Sequence, residues 1–290
     1  MSQSKLMLSR AQLEAFLGKK DPDAIRAFER LFAAGDLVES GFGVPRGHID
    51  GFTLSNAADA DHDITIAAGE ATDSTGVMML SSDATITKRI DAPWSEGDGA
   101  GGLDTGVVAA NSVYYMWRIY KATDKSLDAV FSLSKTAPTL AAVYTHMRRI
   151  GTVVTDASAN IIPGKWADDL FTFNQPVQNR VIQTNISSTN RTAFSTSAPP
   201  DVLGVIRLIF NQGTSNASYY MWWGSADRPD VAASSSNVDG WMYAQDVPQS
   251  VIATIKLNGS SQFFFRGSST AIRLGYSTLG WIDDRGRDAA

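Results

Sequence analysis

Val113-Tyr114-Tyr115-Met116-Trp117-Arg118-Ile119-Tyr120 is a short run dense in apolar and aromatic side chains, and it reads as a β-strand. Comparable runs flank it. Ile64-Thr65-Ile66, Val77 to Leu80, Thr85-Ile86-Thr87, Ala129 to Leu133 and Arg149 to Val154 alternate or cluster in the same way. Turn signals separate them: Asp73-Ser74-Thr75-Gly76, the glycine-rich Gly97 to Gly106, and Asp156-Ala157-Ser158-Ala159-Asn160. Short strands punctuated in this way suggest a β-sandwich.

A second strand-rich stretch follows, with candidates at Arg180 to Ile186, Val202 to Phe210, Tyr219 to Trp223, Trp241 to Tyr243, Val251 to Leu257, Gln262 to Arg266 and Ile272 to Tyr276. Pro163 to Gln175 reads as the connector between the two stretches. Tyr114-Tyr115-Met116-Trp117 returns as Tyr219-Tyr220-Met221-Trp222, a hint that the two β units are related.

The first residues have a different pattern. Ser9 with Gln12 makes a capping box, after which Leu13, Phe16 and Leu17 share a helical stripe up to Gly18. Asp21 and Pro22 then suit a second helix start, with Ile25, Phe28, Leu31 and Phe32 at helical spacing until Gly35. Two helices this short need something to dock on. Gly41-Phe42-Gly43-Val44-Pro45 forms a linker to the β region. The expected fold class is therefore mainly β: a short N-terminal α-helical hairpin (1–45) followed by two antiparallel β-sandwich-like domains, 46–175 and 176–290.

Composition narrows the function. With 290 residues, 43% of them hydrophobic, the chain can bury a sizeable core. Its net charge of −5 and scattered basic residues give no footprint for nucleic acid. The absence of cysteine excludes disulfides, thiolate metal sites and a cysteine nucleophile. No window approaches the ~18 uninterrupted apolar residues of a membrane span, and the first residues lack a signal-peptide core, so a soluble protein made in the cytoplasm is expected. Asn185, Asn190, Asn216 and Asn258 head Asn-x-Ser/Thr triplets, which read as polar strand chemistry rather than glycosylation acceptors.

The search for chemistry finds little. His48, His62 and His146 form no paired motif and accompany no nucleophile elbow. Asp59, Asp61, His62 and Asp63 offer oxygen and nitrogen ligands for a cation, but an EF-hand would need a glycine and a glutamate that Gly69 and Glu70 do not supply. A solvated turn explains them as well, and no metal or other cofactor is expected. Glu70 with Asp73, or Asp168 with Asp169, are carboxylate pairs of the type glycoside hydrolysis uses, although sequence does not fix their separation. Gly97-Asp98-Gly99-Ala100-Gly101-Gly102 lacks the lysine of a phosphate loop and reads as a flexible loop. Seven tryptophans and eight tyrosines are more suggestive. Trp222, Trp223, Trp241 and Tyr243 lie among polar, turn-rich residues and are the candidates for glycan or receptor contact, with a packed core as the alternative reading.

At this point the chain resembles tailed-bacteriophage fibre and head-spike proteins. Leu8 to Leu13 followed by Ala24 to Phe32 looks like the helical start of many phage virion proteins. Asp63 to Ser74 and Arg148 to Asp156 are similar to a phage-fibre β module, and Gly280 to Arg287 resembles its closing strand. The resemblance implies a homotrimer in the virion. Its N-terminal helices, through Leu13, Phe16, Leu17, Ile25, Phe28, Leu31 and Phe32, would attach to other virion proteins, and its β domains would meet host surface polysaccharide. The expected function is thus non-enzymatic. A tail fibre leads, a head fibre or capsid decoration is the alternative, and a glycan-depolymerising tailspike and a host-encoded carbohydrate-binding module are the rivals from other classes. Neither nucleic acid nor membrane insertion is expected.

Overall fold

A computed structural model describes residues 45–183, 186, 190–212, 218–243 and 248–287. The expected helical hairpin, with the anchoring residues Leu13 to Phe32, lies outside the described residues. Within them no helix occurs, and the regular elements are strands. The first half contains β1 (Ile49–Gly51), β2 (Leu54–Asn56), β3 (Asp63–Ile66), β4 (Gly69–Thr72), β5 (Met79–Ser82), β6 (Ile86–Pro93), β7 (Ala100–Leu103), β8 (Val113–Lys121), β9 (Ser126–Ser132), β10 (Tyr144–Val154) and β11 (Gly164–Ala167). The second contains β12 (Leu170–Gln183), β13 (Thr192–Ser195), β14 (Leu203–Gln212), β15 (Ser218–Gly224), β16 (Gly240–Tyr243), β17 (Gln249–Lys256), β18 (Gln262–Gly267) and β19 (Ile272–Ile282).

Twelve of these strands form one sheet, in the order β10-β8-β9-β7-β6-β3-β2-β11-β12-β19-β14-β17. A three-stranded sheet, β1-β4-β5, and a four-stranded sheet, β13-β18-β15-β16, complete the set. β8 is buried on both faces, which is why its sequence is apolar almost without alternation. Tyr114 and Met116 join one core with Phe52, Ile64 and Phe131. Tyr115, Trp117 and Ile119 join another with Val130 and Tyr144. Arg118 is also inside, with its guanidinium 4.9 Å over the Phe52 ring. In the second half the large sheet packs face to face on the four-stranded one. Ile206, Leu208, Phe210, Leu274 and Tyr276 meet Phe194, Met221, Trp223, Phe263 and Phe265 in a shared core. The repeated Tyr-Tyr-Met-Trp tetrapeptides sit on β8 and β15, in different sheets.

Two sequence expectations are corrected. The glycine-rich stretch is not a loop throughout: β7 lies between β6 and β9 and is parallel to both. Its glycines allow that approach, since a Cβ on Gly101 would sit 2.1 Å from the Pro93 carbonyl oxygen and one on Gly102 would sit 2.9 Å from the Phe131 ring. A buried ion pair then fixes the turn before it. Lys88 Nζ donates to the carbonyls of Ser95 (2.7 Å) and Gly97 (3.1 Å) and lies 3.2 Å from Asp128, whose carboxylate accepts from the amides of Gly97 and Ala129. Burial pulls the Lys88 pKa down. The second correction concerns 163–175, read as a connector. It is a hairpin in which β11 pairs with β12 and the chain turns at Asp168, φ 50°. β11 also meets β2 through Lys165 and Ser55, so the large sheet is continuous, and β12 runs across position 175/176.

Candidate functional site

The end of β19 brings a densely ionic segment of the chain against the first half of the fold. β19 is held between β12 and β14, and beyond it Asp283-Asp284-Arg285-Gly286-Arg287 turns over the β10 strand. Arg149 of β10 makes a bidentate pair with Asp283, with Nη1 at 2.7 and 2.9 Å from its two oxygens, and it also bonds Asp284. Thr152 Oγ1 and the Arg285 amide donate to the same Asp283 carboxylate. Arg285 is itself buried and donates to the carbonyls of Ile150 (2.9 Å), Gly51 (2.6 Å) and Phe52 (3.2 Å). Arg287 closes on Asp169 at the β11–β12 turn. Three segments far apart in sequence, near 50, 150 and 285, are therefore fastened at one point.

Beside this junction lies a cleft of about 380 Å³. Tyr115, Lys135, Lys256 and Asp201 face it together with the Arg149–Asp283 pair. Burial pushes the Tyr115 hydroxyl up to about 12. Burial also works against ionisation of Asp283, but the Arg149 charge and the hydrogen bonds from Thr152 and Arg285 outweigh it and hold the carboxyl below its ordinary range. Lys135 pairs with Asp201 at 3.3 Å, and Lys256 donates to the Asp201 carbonyl. A glycosidase acid needs a carboxyl kept protonated at neutral pH. This arrangement does the opposite at Asp283, and arginine also holds Asp169 and Asp284. Chemically, it is suited to holding strands together.

The sequence-derived candidates divide by burial. Trp222 is 1% exposed and lies under the Arg228 guanidinium, 4.9 Å from its ring. Trp223 is 9% exposed and stacks between Phe210 and Phe265. Both are core residues, and this corrects their expected role in ligand contact: in strand β15, inner and outer faces are both covered. Trp241 is 63% exposed on β16, an edge strand. The Tyr243 side chain lies outside what is described. The Asp59, Asp61 and Asp63 segment is a turn in which Asp59 accepts from His62 at 3.2 Å, and no three metal-ligating side chains gather among the described residues. Each histidine is paired with a carboxylate, the other two being His48 with Glu70 (3.0 Å) and His146 with Asp73 (2.9 Å).

Asp73, considered above as half of a catalytic pair, is instead a buried turn anchor. Its carboxylate accepts from the amides of Val77 (2.8 Å) and Met78 (3.0 Å), from Thr75 Oγ1 (2.7 Å) and from His146. Burial raises its pKa, but those hydrogen bonds lower it further, so the net shift is downward. A depressed folded-state pKa adds stability above the unfolded value, near 3.9, that is lost as pH falls through the folded one. Wild type is therefore expected to lose more stability than Asp73→Asn between about pH 5 and about pH 2, as read from urea midpoints. Parallel pH profiles for the two proteins would sink this assignment.

Sequence reasoning missed Arg149, Thr152, Asp283 and Arg285. The only signal was the pairing of two charge-rich patches, Arg148-Arg149 and Asp283 to Arg287, inside otherwise β-forming sequence.

Comparisons with known proteins identify no family. No family model matches the chain, and no curated protein does. Among solved structures, the chain aligns with a Cry1Da tryptic core variant of Bacillus thuringiensis at 8% identity and a TM-score of 0.14, over 86% of this chain and 54% of that one. The chain thus spans about half the length of that structure, and a likeness this slight assigns neither fold nor function.

Proposed function

We propose that this chain is a non-enzymatic structural and adhesive component of a tailed-phage particle, a trimeric fibre whose N-terminal segment attaches to the virion and whose β domains face the host. In its finer organisation it comprises an N-terminal helical anchor and two sandwich-like β units. The observation that carries the reading is the deployment of ionisable groups. Arginines, aspartates and histidines, residue types able to serve chemistry, join distant segments instead, as Arg149–Asp283, Arg287–Asp169 and His146–Asp73 do. Such a scaffold offers rigidity and an outward aromatic, Trp241, on a sheet edge. Attachment at the tail is preferred to attachment at the head.

Localisation in a cryo-EM map of the particle tests this reading. Density at the tail is the expected result, density projecting from the capsid would make the protein a head spike, and absence from the particle would overturn the virion assignment. A trimer further requires unfolding to shift to higher temperature as protein concentration rises. A monomer with a concentration-independent transition would remove the trimer from the proposal.

A further inference from the structure

We propose that the cleft beside Trp94 binds a neutral saccharide ring. The cleft has a volume of about 440 Å³, within the range of small-ligand sites and large enough for one or two sugar units. Trp94, Pro93 and Leu140 supply its apolar wall, and Asp104, Thr105 and Thr139 supply polar groups.

The Trp94 ring is fixed in place. Its indole N–H donates to the Ala129 carbonyl at 3.1 Å, and the Tyr144 ring meets it edge to face at 5.3 Å. The negative face of an indole attracts the polarised C–H groups that a pyranose presents on one side. Lys88 Nζ lies over the Trp94 ring, 5.7 Å from its centroid, and the half-buried ring lines the cleft in an orientation that is already set, so a sugar packing on its cleft side meets it with little ordering cost.

Hydroxyl recognition falls to Asp104. Its carboxylate accepts from the Thr139 amide at 3.0 Å and from Thr105 Oγ1 at 3.3 Å. About four acceptor positions belong to a carboxylate, so two remain for sugar hydroxyls. The side chains lining the cleft include this one acid and no lysine or arginine. An acidic sugar would place its carboxylate near Asp104 without a compensating cation, and the site therefore selects neutral rings, N-acetylhexosamines included. A single ring in an open cleft of this kind binds at about 1 mM, and repeated copies on a particle supply the avidity.

This inference deepens the adhesive reading above, but its failure can be told apart from the failure of that reading. The full chain is screened on a printed array of neutral and acidic glycans, and hits are titrated by saturation-transfer-difference NMR against wild type, Trp94→Ala, Trp94→Phe and Asp104→Asn. The expected result is binding to neutral glycans, weakened at least about tenfold by Trp94→Ala and measurably by Asp104→Asn, and largely restored by Trp94→Phe. If Trp94→Ala does not fold, the other two variants decide. No neutral binder, binding of acidic glycans alone, or titrations indifferent to all three variants would overturn the site. A chain missing from virions that still binds sugar through Trp94 would overturn only the virion reading.

Discussion

Asp283→Ala is expected to destabilise the protein by about 3–5 kcal/mol, because it leaves a charge buried without its partner. Arg149 is 3% exposed, and Asp283 supplies both acceptors of its bidentate pair. Thr152 and the Arg285 amide lose the same acceptor. Asp284 still touches Arg149, but it is largely open to solvent and screened. For a chain of this size such a loss corresponds to a drop of roughly 6–20 °C in Tm. The double variant Arg149→Met/Asp283→Leu removes both charges and should recover most of the loss, as apolar replacements of buried pairs commonly do. A single variant within about 1 kcal/mol of wild type in urea unfolding would show that the pair is not the fastening described.

Trp281→Ala carries the second large effect, again about 3–5 kcal/mol. Trp281 is 1% exposed, stacks on Phe171 at 4.0 Å and meets Phe173 edge-on at 5.5 Å. Phe171 in turn contacts Trp166, whose indole reaches the Thr152 carbonyl, so the cavity would open next to the ionic junction. Trp241→Ala is the contrast. With its ring mostly in solvent, it should change stability by no more than about 0.5 kcal/mol. Equal denaturation midpoints for the two variants would contradict the packing described here.

The strands were legible where side-chain chemistry is locally sufficient. Val113 to Tyr120 and Val202 to Phe210 are dense apolar runs, and the structure has strands there, β8 and β14. β7 was hidden because its reason for pairing is the lack of side chains at Gly101 and Gly102, which resembles a loop until the neighbouring strands are known. The β11–β12 hairpin was missed because Pro163 and the two aspartates at 168 and 169 resemble a linker. Adjacent tryptophans at 222 and 223 point to opposite faces of β15, and only the covering of both faces decides that neither is free. The ionic junction was illegible for a different reason: Arg149 and Asp283 are separated by 134 positions, and periodicity carries no information over such a span.

The place of β19 in the sheet bears on how the chain is made. It follows β12, β14 and β17 in the chain, yet it sits between β12 and β14 and is the element through which β14 and β17 join the rest of the large sheet. Until it emerges, β12 and β14 each present an unpaired edge, the condition under which nascent chains stick to one another. Translation interrupted just before Ile272 would therefore yield an aggregation-prone product rather than a shortened but soluble one, and vectorial synthesis makes the Ile272–Ile282 strand the clasp that ends the exposure.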